Sequence, residues 1–205
     1  MRFLLYYYTD KIIYLYIISP LITYTIAVKS LSSLSKVKKL KLFSVLGVIL
    51  TVILGAISHF IYEWSGNNGV AGLLFATNES LWEHIKLALF PMFLIFLVGG
   101  FLFCKKVNNY FLAVFCALSV TILFIVFAFM GYTVYARKSI LPFDIAIFII
   151  GIALGYFTAY EIFFTPRHKV LNILSIFGIL IILALFLTCT YHAPKFFIFE
   201  ELYVK

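Results

Sequence analysis

Long apolar runs, broken by short polar connections, set the rhythm of this chain. Uninterrupted Ile, Leu, Phe, Val and Ala dominate residues 12–28, 42–62, 85–104, 110–134, 141–160 and 170–191. A helix needs about 20 apolar residues to cross a bilayer. The two-residue alternation of a membrane β-strand is absent from these runs, so each predicts a helix. The expected fold is all-α: a polytopic integral membrane helix bundle with five core transmembrane helices and an extra N-terminal helix. The first run stands apart. Asp10 and Lys11 precede it, Pro20 lies inside it, and it exits through the Ser-rich "KSLSSLSK". Residues 1–35 are therefore taken as an additional hydrophobic segment, and residues 36–205 as a single transmembrane helical domain.

Composition supports the same class. Of 205 residues, 64% are hydrophobic and 12% charged, against about 45–50% and about 25% in soluble domains. There is too little polar surface to coat a soluble globule, and the expected place is a multi-pass position in a cell membrane. The net charge of +8 is dispersed between the apolar runs and forms no basic groove, which argues against nucleic acid as a partner. It works instead as a topology signal. Lys29, Lys36, Lys38, Lys39 and Lys41 follow the first run, Lys105 and Lys106 the third, Arg167 and Lys169 the fifth. The alternate connections hold only Lys86 at a helix edge, and Arg137 with Lys138. The positive-inside rule makes the first set cytoplasmic. Cys104, Cys116 and Cys189 lie in or beside apolar runs without a CxxC, and are read as small buried hydrophobes.

That topology gathers the scarce polar residues. The stretch "SHFIYEWSGNNGVAGLLFATNESLWEHIK" contains His59, Glu63, Glu79, Glu83 and His84 and both tryptophans. All fall at the outer face, as do Asp144 after Pro142 and His192 at the end of the last run. Glu161 and His168 fall on the other side. His59 and Glu63 are spaced i, i+4 and share a helix face. Glu79 and Glu83 do the same if their helix starts by Asn78. Imidazole nitrogen with carboxylate oxygen is a ligand set of zinc and related metals. The metal-ligating candidates are His59, Glu63, Glu79, His84, Asp144 and His192, with a divalent metal as the cofactor such a set admits. Four such groups would have to meet within about 5 Å, given metal–ligand bonds near 2 Å. The catalytic candidates are His59, Glu63, Glu83 and His84, as general acid and base or proton relay.

Structural explanations compete for several of these residues. "SLWE" is a capping box with Ser80 as N-cap, and Asn78 is an alternative cap. Acidic side chains suit a helix N-terminus. Trp64 and Trp82 fit the role of interface anchors. Lys86 fits an interfacial position. The connection 65–77, rich in Gly and Asn yet otherwise apolar, is expected to fold as a re-entrant lid over the polar pairs. HExxH, G-x-S-x-G and phosphate-cradling motifs are missing.

The segment from His59 to Met92 resembles an uncharacterised, chiefly Firmicute, family of bacterial integral membrane proteins, a domain of unknown function with the motifs HFxYEWSG and NESxWEHxK. The matching positions are His59, Phe60, Tyr62, Glu63, Trp64, Ser65 and Gly66, then Asn78, Glu79, Ser80, Trp82, Glu83, His84 and Lys86. The resemblance continues through "NNY" at 108–110, the Asp144 run and the tail "TYHAPKFFIFEE". It starts near Lys38 and leaves out the first 35 residues, which are then an added helix or an upstream misread start, loosely packed or disordered. The resemblance implies no activity. Two classes therefore stay open. One is a metal-assisted enzyme acting on a lipid-like or envelope-linked substrate at the outer face. The other is a non-enzymatic transporter, immunity or assembly factor whose polar cluster is an interhelical hydrogen-bond knot. The bilayer is the partner common to both; a small-molecule or lipid substrate belongs to the first, and oligomeric state is left open.

Overall fold

The computed structural model describes the backbone of residues 19–199 and the side chains of residues 35–199. The described residues form six α-helices and a closing 3-10 turn. In chain order they are α1 (Ser19–Trp64), α2 (Gly69–Leu74), α3 (Leu81–Phe103), α4 (Tyr110–Ala136), α5 (Leu141–Ile162), α6 (Lys169–Cys189) and the turn Phe197–Phe199. Five segments are long and apolar enough to cross a membrane: Ser35–Trp64 within α1, then α3, α4, α5 and α6. The chain is thus an all-α protein with five helices of membrane-spanning length.

One expectation changes. The Ser- and Lys-rich stretch after residue 28 was expected to separate two helices, yet α1 runs through it without a break. No Gly or Pro occurs between Pro20 and Gly47, and Lys, Leu and Ser all tolerate a helix interior. Polarity there sets the limit of the apolar span, not the limit of the helix. The expected looseness of the N-terminal segment concerns residues 1–18 in large part, which lie outside the described residues. The chain divides into two compact units, residues 1–42 and 43–205, and everything below concerns the second.

Small residues let the core helices approach. On α5, Gly151 and Gly155 face α4: a Cβ at Gly155 would meet Thr121 Oγ1 and lie 2.8 Å from the Ala117 carbonyl oxygen. Thr121 Oγ1 donates to the Gly151 carbonyl at 3.1 Å. Close backbone approach with a polar bond across it is a common way of joining helices in lipid. Aromatic rings fill the space where helices diverge. Phe43, Phe96 and Tyr156 form one cluster, and the buried Tyr156 hydroxyl is satisfied by Thr51 Oγ1 at 3.0 Å.

The two ends of the bundle are built differently. At one, buried Asn109 clamps the α5–α6 connection. Its Nδ2 donates to Thr165 Oγ1 (2.8 Å) and the Pro166 carbonyl (2.7 Å), and its Oδ1 accepts from the His168 backbone N–H (2.9 Å). This joins the connection carrying Lys105 and Lys106 to the one carrying Arg167. At the other end meet the C-terminus of α1, the N-terminus of α3 and the C-terminus of α6.

Candidate functional site

Four residues turn the chain from α1 into α2. Gly66 (φ 70°) and Asn67 (φ 58°) take left-handed backbone, which Gly and Asn adopt most readily. Asn68 then caps α2, its Oδ1 accepting from the Val70 N–H at 2.8 Å. Residues 75–80 lead back to α3. There Ser80 is the N-cap, with Oγ accepting from the Glu83 N–H at 3.3 Å, and Asn78 Oδ1 accepts from the Ser80 N–H at 3.0 Å.

This start to α3 decides the fate of both acidic residues. Glu79 lies before the helix and Glu83 within its first turn, so they do not share a helix face. Glu83 turns inward. Its Oε2 accepts from the Thr77 N–H (2.9 Å) and Thr77 Oγ1 (3.1 Å), and pairs with Lys86 Nζ at 2.6 Å. Lys86, fully buried rather than interfacial, also donates to the Gly72 carbonyl (2.9 Å) and Thr190 Oγ1 (3.0 Å). One ammonium thus fastens α2, α3 and the end of α6 together, with its three donors used. Gly72 allows this fit: a Cβ there would lie 2.7 Å from the Tyr191 hydroxyl. That hydroxyl donates to the Gly69 carbonyl.

Glu79 turns the other way, between two imidazoles. Its Oε2 is 3.3 Å from His84 Nε2 and its Oε1 3.8 Å from His59 Nε2. One ligand atom from each of the three residues lies within 4.8 Å of the others. Two ligands of a tetrahedral ion would stand ~3.3 Å apart, given bonds near 2 Å, so holding an ion would draw the three groups closer together. His84 Nδ1 lies 2.9 Å from the Ser80 carbonyl oxygen. A carbonyl only accepts, so Nδ1 carries a proton there, and Nε2 is the ring nitrogen that faces Glu79. Metal-binding histidines are commonly oriented by such a bond. His59 Nδ1 is buried without a hydrogen-bond partner, and its ring lies 5.5 Å from that of His84. All three side chains keep about a third to a half of their exposure.

The other candidates are elsewhere. Glu63, a turn beyond His59, is exposed at the end of α1 and outside the three-residue group. His192 is exposed past α6. Asp144, in the first turn of α5, accepts from the hydroxyls of Tyr132 and Ser139. It lines the same cleft as His59 and His84 without joining their group. The convergence of four protein ligands required above is therefore not met among the described residues: three groups converge, and Glu63, Asp144 and His192 stay outside, which rules out a closed four-ligand site and leaves only an open three-ligand one. Trp64 is exposed and stacks on Phe60. Trp82 is sandwiched between Phe186 (4.0 Å) and Phe199 (4.7 Å), with Nε1 buried and unpartnered.

Five membrane-length helices and a half-open His/Glu cluster at one end define the class: a polytopic helical membrane protein with a polar site where three helix ends meet. The sequence matches the profile of a family of unknown function (DUF6512) over residues 29–203, and the chain belongs to that family. The match begins nine residues before Lys38. No curated protein and no solved structure matches the chain.

Proposed function

We propose that the chain is a membrane-embedded enzyme that holds a divalent metal on His59, Glu79 and His84 and acts on a lipid-like or envelope-linked substrate at the outer face. The observation that carries this is the approach of two imidazoles and one carboxylate within 4.8 Å, in side chains that stay accessible. Three protein ligands leave a coordination position for water or substrate, the pattern of catalytic zinc sites. A metal held by these three side chains would supply a water acidified toward neutral pH. Glu83 drops out as a catalytic group in this reading, since Lys86 and Thr77 occupy its carboxylate.

Metal analysis of the purified protein tests it. Wild type should retain about one equivalent after gel filtration, the stoichiometry of such a three-ligand site. Glu79→Gln and His84→Ala should lower affinity by about 100-fold or more, since even outer-shell losses cost 10–100-fold. Glu63→Gln and His192→Ala should keep the metal. Wild type that stays metal-free under zinc- and manganese-replete conditions overturns the reading. The non-enzymatic alternative then takes its place, favoured by a separate observation: the Glu83–Lys86–Thr190 network is a closed interhelical knot.

A further inference from the structure

A cleft of about 360 Å³ opens beside the His/Glu cluster, bounded by α1, α3, α4 and α5. This is within the usual size of a ligand pocket. Val52, Ala56 and Phe60 of α1 line one wall and Ile145 and Ile149 of α5 the other, over buried Phe129 of α4. Ala56, Phe60, Ile145 and Ile149 are exposed at its rim, on helices of membrane-spanning length. With these helices across a bilayer, the open side would face hydrocarbon. Polar side chains line one end only: His59, His84 and Asp144. From His59 to Val52 the apolar wall runs about 10 Å deeper along α1, at 1.5 Å per residue.

This shape is that of an amphiphile. A polar metabolite would leave the apolar walls uncovered, whereas a hydrocarbon chain could enter sideways from the bilayer with its headgroup at the histidines. Charge selects the headgroup. A divalent ion on His59, Glu79 and His84 faces one carboxylate of its own, so the centre keeps a positive excess that favours an oxyanion. The Asp144 carboxylate across the cleft, held by two neutral hydroxyls, keeps its own charge, so an anionic headgroup is confined to the side of the histidines, against the metal. Resting on the metal reading above, we propose that the cleft is the acyl-chain subsite of this centre, and that its ligand is a lipid carrying a phosphate headgroup. The chain lies between α1 and α5, and the phosphate lies against His59 and His84.

Photolabelling tests this on the full-length protein in nanodiscs, using phosphatidic acid with a diazirine in one acyl chain. Crosslinks at Val52, Ala56, Ile145 and Ile149 should exceed those at Ile173, Leu174 and Ile181, which are exposed on α6, by about tenfold, a 1.4 kcal/mol preference. Ala56→Trp, which fills the cleft from its rim, should remove that excess while α6 labelling and bound metal stay unchanged. Should that variant not fold, Ile149→Trp blocks the facing wall and should do the same. Diacylglycerol with the same chain should label the cleft several-fold less. Equal labelling of cleft and α6, or no effect of either blocking variant, overturns the subsite. Equal labelling by diacylglycerol overturns the phosphate assignment. Metal counted in the same samples separates the two ideas: selective phosphate-lipid labelling of a metal-free wild type leaves the subsite standing and removes the metal reading.

Discussion

At the scale of single residues, the sharpest division is between two acidic side chains four positions apart. Glu83 is buried against Lys86 and Glu79 is open to the histidines. A buried ion pair is worth little as a net gain, but removing one partner strands the other charge, at a cost of about 3–5 kcal/mol. Lys86→Met and Glu83→Gln should each destabilise the protein by about that much in mixed-micelle unfolding. The double variant should lose less than the sum, because neither charge is then left unpaired. Additive losses would show that the pair is not coupled. If His59, Glu79 and His84 hold a metal as proposed, Lys86→Met should also weaken that binding, since Lys86 holds the Gly72 carbonyl and Glu83 holds Thr77, and both anchor the connection that ends in Glu79. The polar stretch was legible in the sequence as a His/Glu cluster, but its internal pairing was not. An i, i+4 spacing suggested Glu63 for His59. The true neighbour, Glu79, depends on where α3 begins, which Ser80 decides by one hydrogen bond. Lys86 looked like a helix-edge residue because its partners, the Gly72 carbonyl and Thr190, come from segments that hydropathy cannot connect to it.

At the scale of elements, the spans of α3, α4, α5 and α6 agree with their apolar runs to within a few residues, because length and hydropathy alone define a spanning helix. The extent of α1 was hidden, since Lys and Ser mark the end of an apolar stretch but do not break a helix. A further signal was present and went unused: Gly151 and Gly155 form a small-xxx-small motif, and these two glycines seat α5 on α4. Gly155→Ala would push a methyl group against Thr121 and the Ala117 carbonyl. It should destabilise by about 1–3 kcal/mol, the usual cost of overpacking. Gly131 provides the control. Nothing lies within 4 Å of a Cβ there, so Gly131→Ala in α4 should be neutral or stabilise by about 0.4–1 kcal/mol through the lost freedom of the unfolded chain. Thermal unfolding of the two variants side by side checks the contrast, and equal effects would refute the packing argument.

At the scale of the whole molecule, the question is which side of the membrane the site faces. The Asn109 clamp brings the connections bearing Lys105, Lys106 and Arg167 to one end of the second unit, while the His/Glu cluster sits where α1 ends and α3 begins. Successive spans alternate direction, so these two ends face opposite sides of a bilayer. The positive-inside bias predicts the basic end in the cytoplasm and the histidines outside. Single cysteines in a background lacking Cys104, Cys116 and Cys189 test this. At Asn67 and Lys138 they should react with a membrane-impermeant maleimide on intact cells. At Lys106 and Arg167 they should react only after permeabilisation. The reverse pattern would place the histidines on the cytoplasmic side, and a lipid substrate would then have to come from the inner leaflet. With the expected pattern, the cleft between α1 and α5 opens near the outer surface, and the lipid proposed for it would then be drawn from the outer leaflet, with any chemistry on its headgroup taking place outside the cell.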